Sequence, residues 1–417
     1  MGTRRTNPVP MEPRRYPSIV AYSPMQFPPP SPAPTPQARP WLPVTGPMPR
    51  PIRKVGAPLG VLIAFGVLTG LLVLLFTVIN PVGAIVGFVL STATMTLVVF
   101  AYLWLDRWEP EPPRLLLMAF GWGASIAVLI SLVVGLIGDS VLAPGTFLPE
   151  SVDSTAIRAP FIEEAAKGAF LLLMMTGRRR NELNSLTDCL VYAGLVGVGF
   201  AWLEDIMYIA NADSLAGSLV TAGMRLIMGP FAHPLFTTMT AIGVYFALQQ
   251  RSPVTRFCCV LTGYLGAVVM HGLWNGSSLL GVGAYFVVYV VWMVPIFALM
   301  IAVAIASRRR EQRLVATKLP GMVAAGLITD NEATWLGSLR TRRGAINEAT
   351  RAGGRPAGKA VARFAASVVE LAFVRDRIDR GFGDQRVYAL LNEEVYAVAS
   401  ARSAAPILGW LANYRAA

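Results

Sequence analysis

Residues 57–79 read APLGVLIAFGVLTGLLVLLFTVI, 23 positions without a single charge. A helix rises about 1.5 Å per residue, so an apolar run of about 18 or more residues can cross a hydrocarbon core of about 30 Å. Similar blocks follow at roughly 82–104, 115–138, 157–176, 187–210, 231–248, 257–277 and 282–305. Eight spans in one chain fix the expected fold class as all-α, a polytopic bundle of membrane helices. The stretch 214–229 is also apolar, but Arg225, Gly229 and Pro230 interrupt it. It reads as a surface or re-entrant helix, or as the start of a longer sixth span.

Composition agrees with this reading. Of 417 residues, 54% are hydrophobic and 14% charged, and the net charge is +12. In a soluble protein such a balance would raise the question of nucleic acid. Here the basic residues flank the apolar blocks, as the positive-inside rule requires, and no nucleic-acid partner is expected. Arg50, Arg53 and Lys54 precede the first span, Arg178 to Arg180 follow the fourth, Arg251 and Arg256 follow the sixth, and Arg308 to Arg310 follow the eighth. The loop 139–156 carries Asp139, Glu150 and Asp153 without a Lys or Arg. An even number of spans with both termini in the cytoplasm accounts for all of these positions. Three cysteines, Cys189, Cys258 and Cys259, are too few for a disulfide framework or a cysteine-based zinc site.

The chain divides into three parts. Residues 1–55 are expected to form a disordered cytoplasmic tail, because 16 of the 31 prolines fall within 1–52. Residues 56–306 form the membrane domain. Residues 307–417 regain charge and helical periodicity, with Val361, Phe364, Val368, Leu371 and Ile378 on one side of a helix from about 357 to 379. This last part is expected to be a small helical cytoplasmic domain, punctuated at Gly353-Gly354 and at Gly381.

Ionisable residues inside membrane helices cost at least about 2.5–3.5 kcal/mol each on insertion scales, so they need a partner or a task. The fourth span carries Glu163, Glu164 and Lys167, the fifth Glu204 and Asp205, the sixth opens with His233, and the seventh carries His271 and Asn275. The chain has only two histidines, and both belong to this set. With alternating spans, Glu163, Glu204 and His271 each lie about six residues from an outer end, or about 9 Å deep. His233 lies nearer the boundary. Glu163 and Lys167 are four residues apart, as are His271 and Asn275, so each pair shares a helix face. Two histidines with one or two carboxylates suit a zinc site with an open position, a further Glu suits a general base, and Asn275 suits an oxyanion donor. A polar network that holds helices together is the other reading of the same residues. Arg225 reads as an interfacial anchor that snorkels to the surface.

These residues also carry a family resemblance. Glu163-Glu164-x-x-Lys167 resembles the EExxK motif, and Phe200-x-x-x-Glu204 the FxxxE motif, of the PrsW intramembrane metalloproteases. His271-x-x-x-Asn275 resembles the HxxxN/D element of the wider superfamily that includes CAAX prenyl endopeptidases and bacteriocin-processing proteins. Asp106 to Pro112, between the second and third spans, is similar to a stretch common in PrsW-like proteins. The resemblance covers about 57–305. It implies a glutamate-dependent metal peptidase of a bacterial-type plasma membrane that cuts membrane proteins such as anti-sigma factors, and the span directions put the expected site toward the outer leaflet. Carried over by position, the catalytic set is Glu163, Glu164 and Asn275, and the metal ligands are Glu204, His233 and His271, with zinc as the expected divalent metal. The wider superfamily usually has His where this chain has Glu204. An inactive receptor or scaffold of the same fold is the competing reading, motivated by the tail and the C-terminal helices.

Overall fold

The computed structural model describes residues 56–142 and 153–415, so the proline-rich tail and most of the 139–156 loop lie outside the described residues. All eight apolar blocks fold as helices. The first is α1, Leu59–Ile79, and the second α2, Pro81–Leu105. Helix α3 runs from Pro113–Trp122 through a π-helical turn at Gly123–Ala127 to Val128–Leu142. Helix α4, Ala159–Met174, is preceded by a π-helical turn at Asp153–Arg158, and α5 is Leu186–Ala210. The broken stretch becomes a short helix α6, Leu215–Gly223, with a π-helical end at Met224–Met228. Then come α7, Ala232–Leu248, and α8, Pro253–Leu279. The last apolar helix, α9, joins Val282–Val288, Tyr289–Met293 and Val294–Ala324.

Among the described residues, seven helical stretches are long and apolar enough to cross a membrane, one of them being α6 and α7 taken together as Leu215–Leu248. The exception among the eight expected spans is α4, which has 16 residues and carries Glu163, Glu164 and Lys167. Its shortness fits its contents, since a helix with three charged groups gains from being enclosed by other helices. Helix α5 is the centre of the bundle: 89% of its apolar window is buried, against 11% for α1. Its start is fixed by a capping box in which the Ser185 side chain accepts from the Asp188 N–H and the Asp188 carboxylate accepts from the Ser185 N–H. Its far end is tied to α2, where Asn80 donates its amide to the Ala210 carbonyl at 2.7 Å and accepts from the Gly83 N–H at 3.0 Å.

Small residues set the close crossings that position the polar groups. A Cβ on Gly197 of α5 would lie 2.6 Å from the Pro234 backbone, so only glycine lets α5 approach the start of α7 beside His233. A Cβ on Gly243 of α7 would lie 2.4 Å from the Cys259 carbonyl of α8. Such contacts between small residues are the usual way helices meet in a membrane, where apolar burial against lipid gives little driving force.

Beyond the bundle, α10 (Asp330–Leu336), α11 (Leu339–Arg377) and α12 (Gln385–Ser403) pack with the end of α9. Val361, Phe364, Val368 and Leu371 are fully buried, as their spacing predicts, around Trp335. Helix α11 is broken at Gly354, whose φ of 73° lies in the left-handed region that favours glycine.

Candidate metal centre

Four helices bring the sequence-selected residues together. Glu163, Glu164 and Lys167 face inward from α4, Glu204 and Asp205 from α5, His233 from the first turn of α7, and His271 from α8. All seven are buried, with Glu164, Lys167 and His271 fully so. Ligand atoms of Glu163, His233 and His271 lie within 4.8 Å of one another, close enough to share one metal ion.

The contacts around this trio are specific. His271 places Nδ1 2.9 Å from Glu164 Oε1, and its Nε2 faces Glu163 Oε2 at 3.8 Å. Both the Nε2 of His271 and the Oε2 of Glu163 are buried without a hydrogen-bond partner. His233 places Nε2 2.6 Å from Glu204 Oε2, while its Nδ1 lies 3.1 Å from Lys167 Nζ. Lys167 Nζ also lies 2.7 Å from Glu164 Oε1 and 3.6 Å from Glu163 Oε2, and sits 4.0 Å above the Phe200 ring. The rings of Phe236 and His271 stack at 4.7 Å, which holds the imidazole plane. Thr237 Oγ1 is 3.4 Å from Glu164 Oε2, a long contact that leaves this oxygen lightly held.

The remaining sequence-selected residues lie around this trio. Glu204 bridges His233 and Arg225 through one oxygen, with Arg225 Nη2 at 2.6 Å. Asp205 takes Arg225 Nε at 2.6 Å. Asn275 donates to the Thr155 carbonyl at 3.3 Å, which ties α8 to the turn that leads into α4. Arg225 differs from its expected role as a snorkelling anchor. Its guanidinium turns inward because two carboxylates one residue apart on α5 offer more than the interface does. The stretch 214–229 was readable as broken, but the direction of its arginine was not. Phe236 and Thr237 also escaped the sequence reading, because an aromatic residue and a threonine on an apolar helix carry no distinctive signal.

A donor set of two imidazoles and a carboxylate matches the ligands zinc takes in peptidases. The orphaned Glu163 Oε2 and His271 Nε2 are the polar atoms such an ion would satisfy. Charge points the same way. Four carboxylates, Glu163, Glu164, Glu204 and Asp205, face two cations, Lys167 and Arg225. When all are ionised, two negative charges remain, the charge of one divalent cation.

A second carboxylate cluster lies at the other end of α5. Tyr192 donates to Glu111 Oε2 at 2.7 Å, Asp106 Oδ2 accepts from the Glu111 N–H at 2.9 Å, and Asn184 donates to Glu109 Oε1 at 3.2 Å. Asp188 Oδ1 and Glu311 Oε1 each lie 2.8 Å from the Ser185 hydroxyl. Among the described residues, no Lys or Arg is ion-paired with any of these five acids. Burial pushes the Asp106 carboxyl up to about 8, and pushes Glu109 and Glu111 well above the usual carboxylate range.

The fold and site together define a polytopic helical membrane protein with a buried Glu–His–His cluster that could hold a metal ion. Residues 111–300 match the sequence model of a family described as PrsW family intramembrane metalloprotease. Over that stretch, which is under half of the chain, the sequence is similar to that family, as its motifs suggested. Protease PrsW of Geobacillus kaustophilus (strain HTA426) is 25% identical over 176 residues, which cover 42% of this chain and 72% of that relative. No solved structure matches the chain. The family and the relative support an intramembrane protease.

Proposed function

We propose that the chain is a zinc-dependent endopeptidase that hydrolyses a peptide bond of a membrane protein inside the bundle. The observation that carries this reading is the meeting of Glu163, His233 and His271 within 4.8 Å, with buried orphan atoms on two of them. These three residues would hold the metal. Its chemistry there would be that of a Lewis acid, which polarises a peptide carbonyl and makes a water more acidic.

Each of the other groups has a task that follows from its contacts. Glu164 Oε1 accepts Nδ1–H of His271 and so aims Nε2 at Glu163, the carboxylate–histidine arrangement common beside metals. Glu164 Oε2, held only by the long contact to Thr237, is the atom free to take a proton from a water and return it to the leaving amine. Glu204 orients His233 in the same way, with Arg225 and Asp205 holding Glu204. Lys167 balances the paired glutamates of its own helix. Asn275 positions the start of α4 through Thr155.

The basic flanks of the spans favour both termini in the cytoplasm, with the helices beyond residue 307 forming a cytoplasmic domain and the site in the outer half of the bilayer. An anti-sigma factor is the first substrate to test.

Metal content of the purified full chain is the deciding measurement. Close to one zinc per chain is expected, lost in His233→Ala and His271→Ala and strongly lowered in Glu163→Gln, but kept in Glu204→Gln. Metal kept in E163Q and lost in E204Q would return Glu204 to the ligand set and make Glu163 the base. Chains free of metal, yet folded and able to process a trapped substrate, would defeat the reading altogether.

A further inference from the structure

An apolar cleft of about 290 Å³ separates α2 from α9, with α7 as its floor. Leu105, Leu235, Phe297, Ile301 and Ile305 line it, and Trp104 stands at its mouth. The upper end is closed where the rings of Phe231 and Phe297 meet at 4.8 Å. From Phe297 to Ile305 the cleft follows α9 for about 12 Å, close to the hydrocarbon depth of one leaflet, about 15 Å. Ile301 and Ile305 are 45% and 39% exposed, so the slot opens sideways to the membrane interior.

The open end is chemically different. There the Arg308 guanidinium lies 4.1 Å from the Trp104 ring, and its buried Nε has no hydrogen-bond partner. Arg309 follows on the same helix and Arg107 begins the adjoining turn. The slot is therefore apolar and blind at the bilayer middle, and cationic with an unused donor at the membrane boundary. An amphiphile with an acyl chain and an anionic head satisfies both ends.

We propose that this cleft is a binding site for one anionic phospholipid of the leaflet on the basic side, with an acyl chain between α2 and α9 and its phosphate at Arg308. The site is separate from the metal centre. On α7, Leu235 and Thr238 face the cleft, whereas His233, Phe236 and Thr237 face Glu164 and His271 from the opposite side of the helix. A substrate helix does not fit, because a helix with its side chains is about 10–12 Å across and needs several times this volume.

The test uses the full-length chain and two lipids of identical acyl chains, phosphatidylglycerol and phosphatidylcholine, read by native mass spectrometry. One phosphatidylglycerol retained per chain, with phosphatidylcholine lost, is the expected result. Arg308→Gln is expected to lower phosphatidylglycerol retention about fivefold, the usual effect of one basic residue at a membrane surface. Ile301→Trp, at an exposed position that tolerates a large side chain, is expected to fill the slot and abolish retention of either lipid. Equal retention of the two lipids, or retention unaffected by both variants, overturns the proposal. So does a photoreactive residue at position 301 that crosslinks to protein instead of lipid. The wild-type lipid comparison stands even if a variant fails to fold.

Discussion

Helix α5 has a carboxylate cluster at each end, and the two are stabilised in opposite ways. At the Glu204 end, the acids are matched by Lys167, Arg225 and two imidazoles. About 24 Å away along the same helix, near Asp188, the acids are held by a tyrosine, a serine and backbone N–H groups. The first arrangement sets cations and imidazoles beside the carboxylates inside the bundle and leaves two buried ligand atoms unpartnered, as a divalent cation would need. The second favours protonated carboxyls, as the raised values of Asp106, Glu109 and Glu111 express. Buried acids are thus functional or structural according to which partners the neighbouring helices supply.

The largest effects are expected at the Glu204 end. Glu164→Gln should lower cleavage by about two to four orders of magnitude, the range for losing a general base, while zinc stays bound. His271→Ala should abolish both. Cleavage rates and metal content measured on the same preparations separate the two roles. If E164Q cleaves at the wild-type rate, Glu164 only orients His271 and the proton passes elsewhere.

Lys167→Met probes the balance of charge directly. It leaves Glu164 buried beside Glu163 without its closest cation, and breaking such a pair typically costs about 3–5 kcal/mol. A clear fall in thermal midpoint in detergent is expected, with Lys167→Arg less affected. A similar substitution has no counterpart at the Asp188 end, where no Lys or Arg pair is available to break among the described residues. An unchanged midpoint in K167M would mean that the histidines alone can hold the glutamates charged.

Much of this contrast was readable from the sequence at one end and little at the other. The apolar blocks gave the helices, and two histidines placed among intramembrane glutamates pointed to the Glu204 end. Sequence spacing gives the depth of a residue along its helix but not the neighbour it meets across the bundle. For that reason Glu204 was expected beside the two histidines and Glu163 among the catalytic residues, whereas Glu163 is the carboxylate whose ligand atom lies within 4.8 Å of both histidines. The inward turn of Arg225 depends on Glu204 and Asp205 of another helix, and nothing in the local sequence marks it. The bond from Tyr192 to Glu111 joins residues 81 apart, and nothing in either stretch announces the other.

The Asp188 end is expected to respond to pH. A carboxyl whose folded value lies above its unfolded value binds its proton more tightly when folded, so the stability it contributes is complete at low pH and lost as pH rises. For Asp106 the loss should run from about 4, the unfolded range, to about 8. Thermal midpoints should therefore decline between about pH 4 and 8, and Asp106→Asn should flatten the decline while changing stability little at acid pH, because an amide oxygen can still accept the Glu111 N–H. A decline that is unchanged in D106N would place the titration on Glu109 or Glu111.

The smallest effect sharpens the comparison from the metal side. Asn275 shares a helix face with His271, but its amide is spent on the Thr155 carbonyl at 3.3 Å. Removing a hydrogen bond of this kind usually costs about 1 kcal/mol. Asn275→Ala should thus lower the thermal midpoint slightly and reduce cleavage by about tenfold or less, through a looser α4, with zinc content unchanged. Asn275→Asp should recover little, since a carboxylate cannot donate to a carbonyl. A loss comparable to that of E164Q, at unchanged stability, would instead mean that Asn275 leaves Thr155 when substrate binds and stabilises the developing oxyanion itself.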